Sequence, residues 1–252
     1  IINHAFKPLN ELYAFPPKFF VGNPTTDNFR DLAKVSSGSM VSVGRYVLNS
    51  FLVTFLVVGL NVLVGSMAGF ALSKLEFKGK KLLFEINTIS MMFVPAAVLI
   101  PRYLIVDRLG IMDTYLAHIL PLVAMPVGMF LVKQFIDQVP GELMEAAGVD
   151  GAGKFTIYRK VILPLIKPAI ATTCILSFQQ VWGNIETSNM FTTRESMRTL
   201  AFYMSTLVNA NATVAGQGAA AAASLIMFLP NILLFVILQS QVMNTMAHSG
   251  IK

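Results

Sequence analysis

Charged side chains are scarce in this sequence. Only 13% of its 252 residues are Asp, Glu, Lys or Arg, against about 25% in soluble domains, which excludes an ordinary water-solvated globular protein. Cysteine is reduced to Cys174, so no disulfide can form within the chain; in an apolar run it reads as a small buried side chain. Of the 13 acids, only Glu85 falls inside an apolar run, and His118 stands alone near the end of another. There is no His-x-x-x-His, no His-Glu pair with ligand spacing and no carboxylate dyad, which argues against a bound metal, a proton relay or a membrane-embedded enzyme. One near-motif is incomplete as well. Gly148, Gly153 and Lys154 have the spacing of a phosphate-cradling loop, but Phe155 stands where a Ser or Thr must hold Mg²⁺. The segment ahead of it, "VPGELMEAAG", consists of helix formers rather than strand residues. The chain is therefore not expected to bind ATP.

What is present is apolar length. Tyr46 to Ser73 carries no charge and exceeds the ~20 residues that a helix needs to cross a bilayer core. Similar runs place five spans at about Tyr46–Ser73, Leu82–Leu104, Thr114–Phe135, Ile162–Trp182 and Gly218–Met246. Glu85 and Arg102, near the two ends of the second, can reach the interface by snorkelling. The net charge of +6 does not point to nucleic acid, because its placement is that of a membrane protein. Lys74, Lys78, Lys80 and Lys81 crowd one connection, and Lys154, Arg159, Lys160 and Lys167 crowd another two spans later. The positive-inside rule puts both in the cytoplasm. The connections Ile105–Asp113 and Gly183–Gln217 then face outward, although Arg108, Arg194 and Arg198 lie in them.

This parity places residues 1–45 outside, as an external segment punctuated by prolines and by the aromatic cluster "AFPPKFF", and predicts an upstream span that is absent or truncated here. Residues 46–252 form the transmembrane domain, with a cytoplasmic loop over 137–164. Gly65 and Gly69 make a small-residue pair suited to close helix packing, as does "GQGAAAAAS" at 216–224. Pro95, Pro121, Pro126 and Pro230 fall inside spans and predict kinks.

Neutral polar side chains are more plentiful in the spans: Asn49, Thr54, Asn61 and Ser66 in the first; Asn87, Thr88 and Ser90 in the second; Thr172, Thr173, Ser177, Gln179 and Gln180 in the fourth; Asn231 and Gln239 in the last. Such groups bond helix to helix at about 0.6 kcal/mol each, or line a path for an uncharged, hydroxyl-rich solute. Asn61, Asn87, Ser90, Gln179, Gln180 and Asn231 are the candidates for a path.

In the cytoplasmic loop, Pro140 suits a first helical turn, with Glu142 and Glu145 at the positive end of the helix dipole and Leu143, Ala146 and Ala147 on one apolar face. Gly148, Gly151 and Gly153 are expected to end that helix and bend the chain; Phe155, Ile157 and Tyr158 begin a second, which Pro164 separates from the next span. Helix, bend and second helix make a plug for a partner protein.

The loop resembles a known signature. Glu145-Ala146-Ala147, three residues, Gly151, nine residues and then Val161-Ile162-Leu163-Pro164 is similar to the EAA loop of membrane permeases in binding-protein-dependent ABC importers, with Val161 replacing the usual Ile. "AFKPLNELYAFPPKFF", "ALSKLEFKGKKLL" and "HSGIK" resemble the carbohydrate-uptake subfamily, in particular the smaller permease of maltose importers. "VWGNIETSN" departs from its Trp-Asn pair, because Gly183 intervenes between Trp182 and Asn184.

The resemblance implies an all-α integral membrane bundle of the type I ABC importer class: five visible transmembrane helices, a sixth N-terminal one absent or truncated, and a cytoplasmic coupling helix in a multi-pass bacterial or archaeal inner-membrane protein. It implies coupling to a cytoplasmic ATP-binding subunit dimer through Glu145, Ala146, Ala147, Gly151, Leu163 and Pro164, with Gly250 and Lys252 reaching the same partner. Glu145 would pair with a basic residue there. ATP and Mg²⁺ would be held by that partner and no cofactor by this chain. The other implied partners are a second homologous permease, an extracytoplasmic solute-binding protein meeting the Gly183–Gln217 connection, membrane lipid and a carbohydrate substrate. An ion-coupled secondary transporter of a small polar solute is the alternative, and the scarcity of intramembrane acids speaks against it.

Overall fold

A computed structural model describes residues 2–12, 14–16, 19–37, 41–210 and 217–249. Among them the chain is helical, with no strand. Two helices are long and apolar enough to cross a membrane unbroken, Val43–Lys74 and the Gln217–Ser240 part of Gln217–Ser249. Three further pairs reach that length together, each bent at a short break: Lys80–Ser90 with Pro95–Arg108 at 110°, Tyr115–Val123 with Pro126–Asp137 at 44°, and Lys154–Leu165 with Lys167–Trp182 at 80°. Counting each pair once gives five crossings, as the apolar runs predict.

The sharpest break corrects the expectation of one continuous span over Leu82–Leu104. Pro95 offers no N–H and disfavours helical geometry in the residue before it. Val94 is accordingly extended, at φ −71° and ψ 129°. Pro230, by contrast, is absorbed within a helix that continues past it. The fourth span also starts later than expected, at Lys167, because the residues from Ile162 to Leu165 belong to the turns ahead of the break. The Gly183–Gln217 connection is more ordered than a loop: it contains the helices Glu186–Phe191 and Leu200–Ala210.

The chain divides into two compact units. The first comprises 1–54, 110–118 and 182–233. Its interior is organised by polar groups. Asn49 is fully buried and spends its amide on three partners, donating to the Ser196 and Arg198 carbonyls at 2.9 Å each and accepting from the Tyr115 hydroxyl at 2.8 Å. Tyr46 stacks on Tyr203 at 4.4 Å and donates to Glu195 at 2.8 Å. Ser50 accepts the Leu200 N–H, which closes the start of the Leu200–Ala210 helix. The N-terminal segment is fastened similarly: Asn28 donates to the Ala5 and Lys7 carbonyls, and the Glu11 carboxylate accepts the Gly22 and Asn23 N–H groups.

Asp113 forms a second clamp in this unit. It holds a left-handed φ of 56°, which Asp tolerates better than most side chains. Its carboxylate accepts the N–H groups of Thr193 and Arg194 and the Thr193 hydroxyl. The Thr193 hydroxyl foremost, then the Arg194 N–H, hold this carboxyl below the ordinary Asp range.

The second unit comprises 55–109, 119–181 and 234–252. Its core joins Phe70, Val132, Ile136, Val139, Ile157, Tyr158, Ile162, Ile166 and Ala169. Gly69 lets the helices that carry Phe70 and Val132 meet: a Cβ built on it would lie 3.1 Å from Val132 Cγ1 and 3.2 Å from the Lys133 backbone nitrogen. Many large apolar side chains nevertheless stand exposed, Phe55 at 83% and Ile237 at 69% among them. In hydrocarbon that exposure carries no penalty, since acyl chains are as apolar as Leu.

Two outcomes are expected. Gly69→Val should lower stability by about 1–3 kcal/mol through overpacking, whereas Gly59→Ala, with nothing within 4 Å, should leave it unchanged or slightly raised; thermal unfolding of the purified chain in detergent checks both. Because the folded pKa of Asp113 is depressed, its contribution is present above the unfolded value of about 3.9 and is lost as pH falls through the folded one. Amide exchange at Thr193 and Arg194 should accordingly speed up below that point relative to neighbouring helical amides, and in Asp113→Asn the pH dependence should disappear.

Candidate coupling loop and solute path

The loop carrying the EAA residues builds one defined helix, Glu142–Val149. Gly141 precedes it and its carbonyl accepts the Met144 and Glu145 N–H groups, while Pro140 lies outside the first turn. Glu142 and Glu145 occupy that turn, where carboxylates favour the helix dipole. The far end closes with a reciprocal pair of bonds: Ala152 N–H to the Ala147 carbonyl at 2.9 Å and Gly151 N–H to the Gly148 carbonyl at 3.0 Å. This is the Schellman arrangement, which needs a left-handed residue just past the helix. Gly151 supplies it at φ +80°. The other two glycines differ from expectation: Gly148 lies within the helix, and Gly153 precedes the next one in an extended conformation.

The three residues of the EAA triplet are divided between two faces. Met144 and Ala147 pack against the core, whereas Glu142, Leu143, Glu145, Ala146 and Val149 are exposed, Val149 at 89%. The helix thus presents two carboxylates and an apolar strip outward while one small alanine seats it.

Downstream, Lys154–Ile157 leads into a π turn at Tyr158–Ile162 and a short turn at Leu163–Leu165. Pro164 cannot bond the carbonyl four residues back and its ring crowds there; a widened turn just ahead makes room for it, and such turns recur at functional sites. Leu163 packs on the core and Pro164 is exposed. The break that the sequence suggested at Pro164 falls at Ile166.

Two anchors escape a reading of the sequence alone. Tyr158 is buried, with its hydroxyl 2.7 Å from that of Ser66 and its ring 5.5 Å from Phe70, so the loop is tied to the Val43–Lys74 helix. Asp137 accepts from Ser73 and Lys133 at 2.6 Å each, Lys133 sits 4.4 Å over the Phe84 ring, and Lys74 donates to the Val139 carbonyl at 2.6 Å. Lys74 reads only as a charge in the sequence. Gly250 and Lys252 lie outside the described residues.

The candidate path residues separate. Asn61, Asn87 and Ser90 line one cavity of about 510 Å³ in the second unit. Asn61 is 3% exposed and donates to Ser177 at 2.7 Å and to the Leu122 carbonyl at 3.2 Å, which leaves its Oδ1 without a partner. Asn87 donates to the Pro126 carbonyl, and Ser90 to that of Asn87. Asn231 lines a different cavity, of about 420 Å³, in the first unit. Gln179 and Gln180 are exposed and line neither. Other polar groups hold structure: Thr172 and Thr173 bond back to the Pro168 and Ala169 carbonyls, and His118 is fully buried between Thr187 and Thr192 with its Nε2 3.1 Å from the Met197 carbonyl. No cluster of three or more metal-ligating side chains exists among the described residues.

With this geometry in hand, residues 61–242 match the family model of binding-protein-dependent transport system inner membrane components. The chain belongs to that family. The permease is 31% identical over 214 residues to the melibiose/raffinose/stachyose import permease protein of Bacillus subtilis, covering 84% of this chain and 77% of that one. It is 29% identical to the arabinooligosaccharides transport system permease protein of Halalkalibacterium halodurans, over 81% and 72% of the two chains. Identity to an sn-glycerol-3-phosphate transport system permease protein of Brucella abortus is 30%, over 77% and 70%. In fold, it is similar to a bacterial ABC transporter involved in the import of the acidic polysaccharide alginate, with a TM-score of 0.78 at 18% identity over 95% of this chain and 87% of that one. The permease is a multi-pass inner-membrane transport component, and the reading as a stand-alone secondary transporter is set aside.

The Schellman closure makes one residue testable. Gly151→Ala should weaken the end of the Glu142–Val149 helix by about 1 kcal/mol, since a Cβ is disfavoured at positive φ, and Gly151→Asn should cost less. Hydrogen exchange at Gly151 and Ala152, compared across the three proteins, measures it.

Proposed function

We propose that the permease forms half of the translocation path of an ATP-driven importer of carbohydrate. A second homologous permease supplies the other half, an extracytoplasmic binding protein delivers the solute to the Gly183–Gln217 connection, and a cytoplasmic ATPase dimer, holding ATP and Mg²⁺, supplies the work. The observation that carries this reading is the EAA loop folded as a closed helix with Glu145 and Ala146 outward and Ala147 seated on the core.

In this scheme the helix docks in a cleft of the ATPase, with Glu145 opposite a basic group. Leu163 and Pro164 set the elbow behind it, and Gly250 and Lys252 reach the same partner. Closure of the ATPase dimer pushes on the docked helix, and the push passes through Tyr158 to Ser66 and through Asp137 to Ser73. Because both contacts end on the Val43–Lys74 helix, movement of the loop and of that helix is coupled. Asn61, Asn87, Ser90 and Asn231 offer uncharged polar groups to the solute. Gln179 and Gln180 are exposed amides, which acyl chains would leave unsatisfied, so a polar path or the second permease is the neighbour they favour.

The carbohydrate assignment is supported by the saccharide names of several relatives and by the uncharged cavity linings. Purification with co-expressed partner subunits tests the scheme. Glu145→Ala and Gly151→Pro should reduce co-purification of the ATPase and binding-protein-stimulated ATP hydrolysis at least severalfold while membrane insertion is kept. Uptake by the permease with no ATPase present would overturn it.

A further inference from the structure

The first unit contains a cavity of about 420 Å³, within the size range of small-ligand sites. Its wall comes from the end of the Lys167–Trp182 helix, from Leu200–Ala210 and from the first turns of Gln217–Ser249. On the topology set by the lysine-rich connections, the loop that joins these helices is extracytoplasmic.

The chemistry of the lining is selective. No Lys, Arg, Asp or Glu contributes to it. Trp182, the chain's single tryptophan, donates its indole N–H to the Met227 carbonyl at 3.0 Å, so it offers the cavity carbon rather than a donor. The same carbonyl accepts the Asn231 amide N–H at 3.2 Å. That bond orients the amide, because a carbonyl can be met only by the nitrogen side. Asn231 Oδ1 is consequently left buried with no partner. The Ser205 and Ser224 hydroxyls donate back to the Phe202 and Ala220 carbonyls and keep only lone pairs for a guest. Three side chains thus wait as acceptors beside an aromatic wall, and the exposed Asn209 amide adds N–H donors and lone pairs but no charge.

Acceptors call for donors. A phosphate or carboxylate brings lone pairs and charge, and would meet lone pairs with no cation to offset its desolvation. A sugar brings several O–H donors together with C–H faces that pack on an aromatic ring. We infer that this cavity is a solute subsite belonging to this permease itself, built for an uncharged saccharide and closed to anionic solutes. The inference rests on the carbohydrate-importer reading and narrows it: the neutral class is set apart from the glycerol phosphate and acidic polysaccharide named for some relatives.

The single tryptophan gives a direct readout. The full chain in lipid nanodiscs is titrated with melibiose, trehalose and sn-glycerol 3-phosphate while Trp182 emission is followed. At least one of the disaccharides should change the emission saturably, and the anion should not. Asn231→Ala should raise the saccharide concentration at half-effect about tenfold, the loss of roughly one buried hydrogen bond. Ser224→Leu, at an exposed position, should fill the cavity and abolish the response without disturbing the core. A response to glycerol phosphate equal to that of the sugars, or none to either sugar, overturns the proposal. Uptake into proteoliposomes by the complete importer separates the two readings. With a transported neutral saccharide, Asn231→Ala should raise the half-saturating concentration about tenfold at unchanged maximal rate, as for a lost binding contact. Normal half-saturation in that variant removes the subsite and leaves the importer reading intact; ATP-dependent uptake of the anion alone, with no neutral sugar carried, removes the carbohydrate reading as well.

Discussion

A polar group buried against the bilayer core can find a partner only inside the protein, because the surrounding hydrocarbon supplies none. That constraint organises both units. Asn49 serves three partners with one amide, Tyr46 pairs with Glu195, and His118 is held by two threonines and a carbonyl. Each bond joins stretches far apart in the chain, so the interior is stitched at points where an apolar contact would allow sliding. Among the described residues, four buried side-chain atoms lack a hydrogen-bond partner: Asn61 Oδ1, Arg198 Nε, the Tyr203 hydroxyl and Asn231 Oδ1. Two of the four line cavities. Unmet acceptors facing open volume are what a path for hydroxyl-bearing solutes requires.

The loop over 137–164 answers the opposite demand, which is to remain exposed and still keep one shape. A helix of eight residues is too short to be stable alone. It survives through its ends: acidic residues in the first turn, a Schellman closure at Gly151, and a footing of Met144 and Ala147 on the core. The spacing of the EAA signature becomes intelligible on these grounds. Gly151 follows the second alanine by four residues because that is where the helix must turn left-handed to return the Ala147 carbonyl its partner. The proline thirteen residues later coincides with a widened turn that directs Tyr158 into the core.

Much of this was legible beforehand. The number of apolar spans and the helix carrying the EAA residues follow from composition and spacing, because a membrane rewards apolar length regardless of packing. The break at Pro95 was only half legible. Proline marks where a helix can fail, but Pro230 sits in a helix that continues, so the residue type alone does not decide. The candidate path residues were legible as a set of neutral polar positions and not as a site.

Sequence alone determined that the chain lives in a membrane and where the EAA signature lies between two apolar spans, since each depends on local composition and short-range spacing. Tertiary structure decided which polar groups are bonds and which are open. Asn49, Asn61 and Asn231 look alike in sequence; one is saturated by three partners, while the other two each keep an unmet oxygen in a cavity wall. The difference lies in which distant carbonyls and hydroxyls packing brings within 3 Å or so of each amide, and no local pattern encodes it.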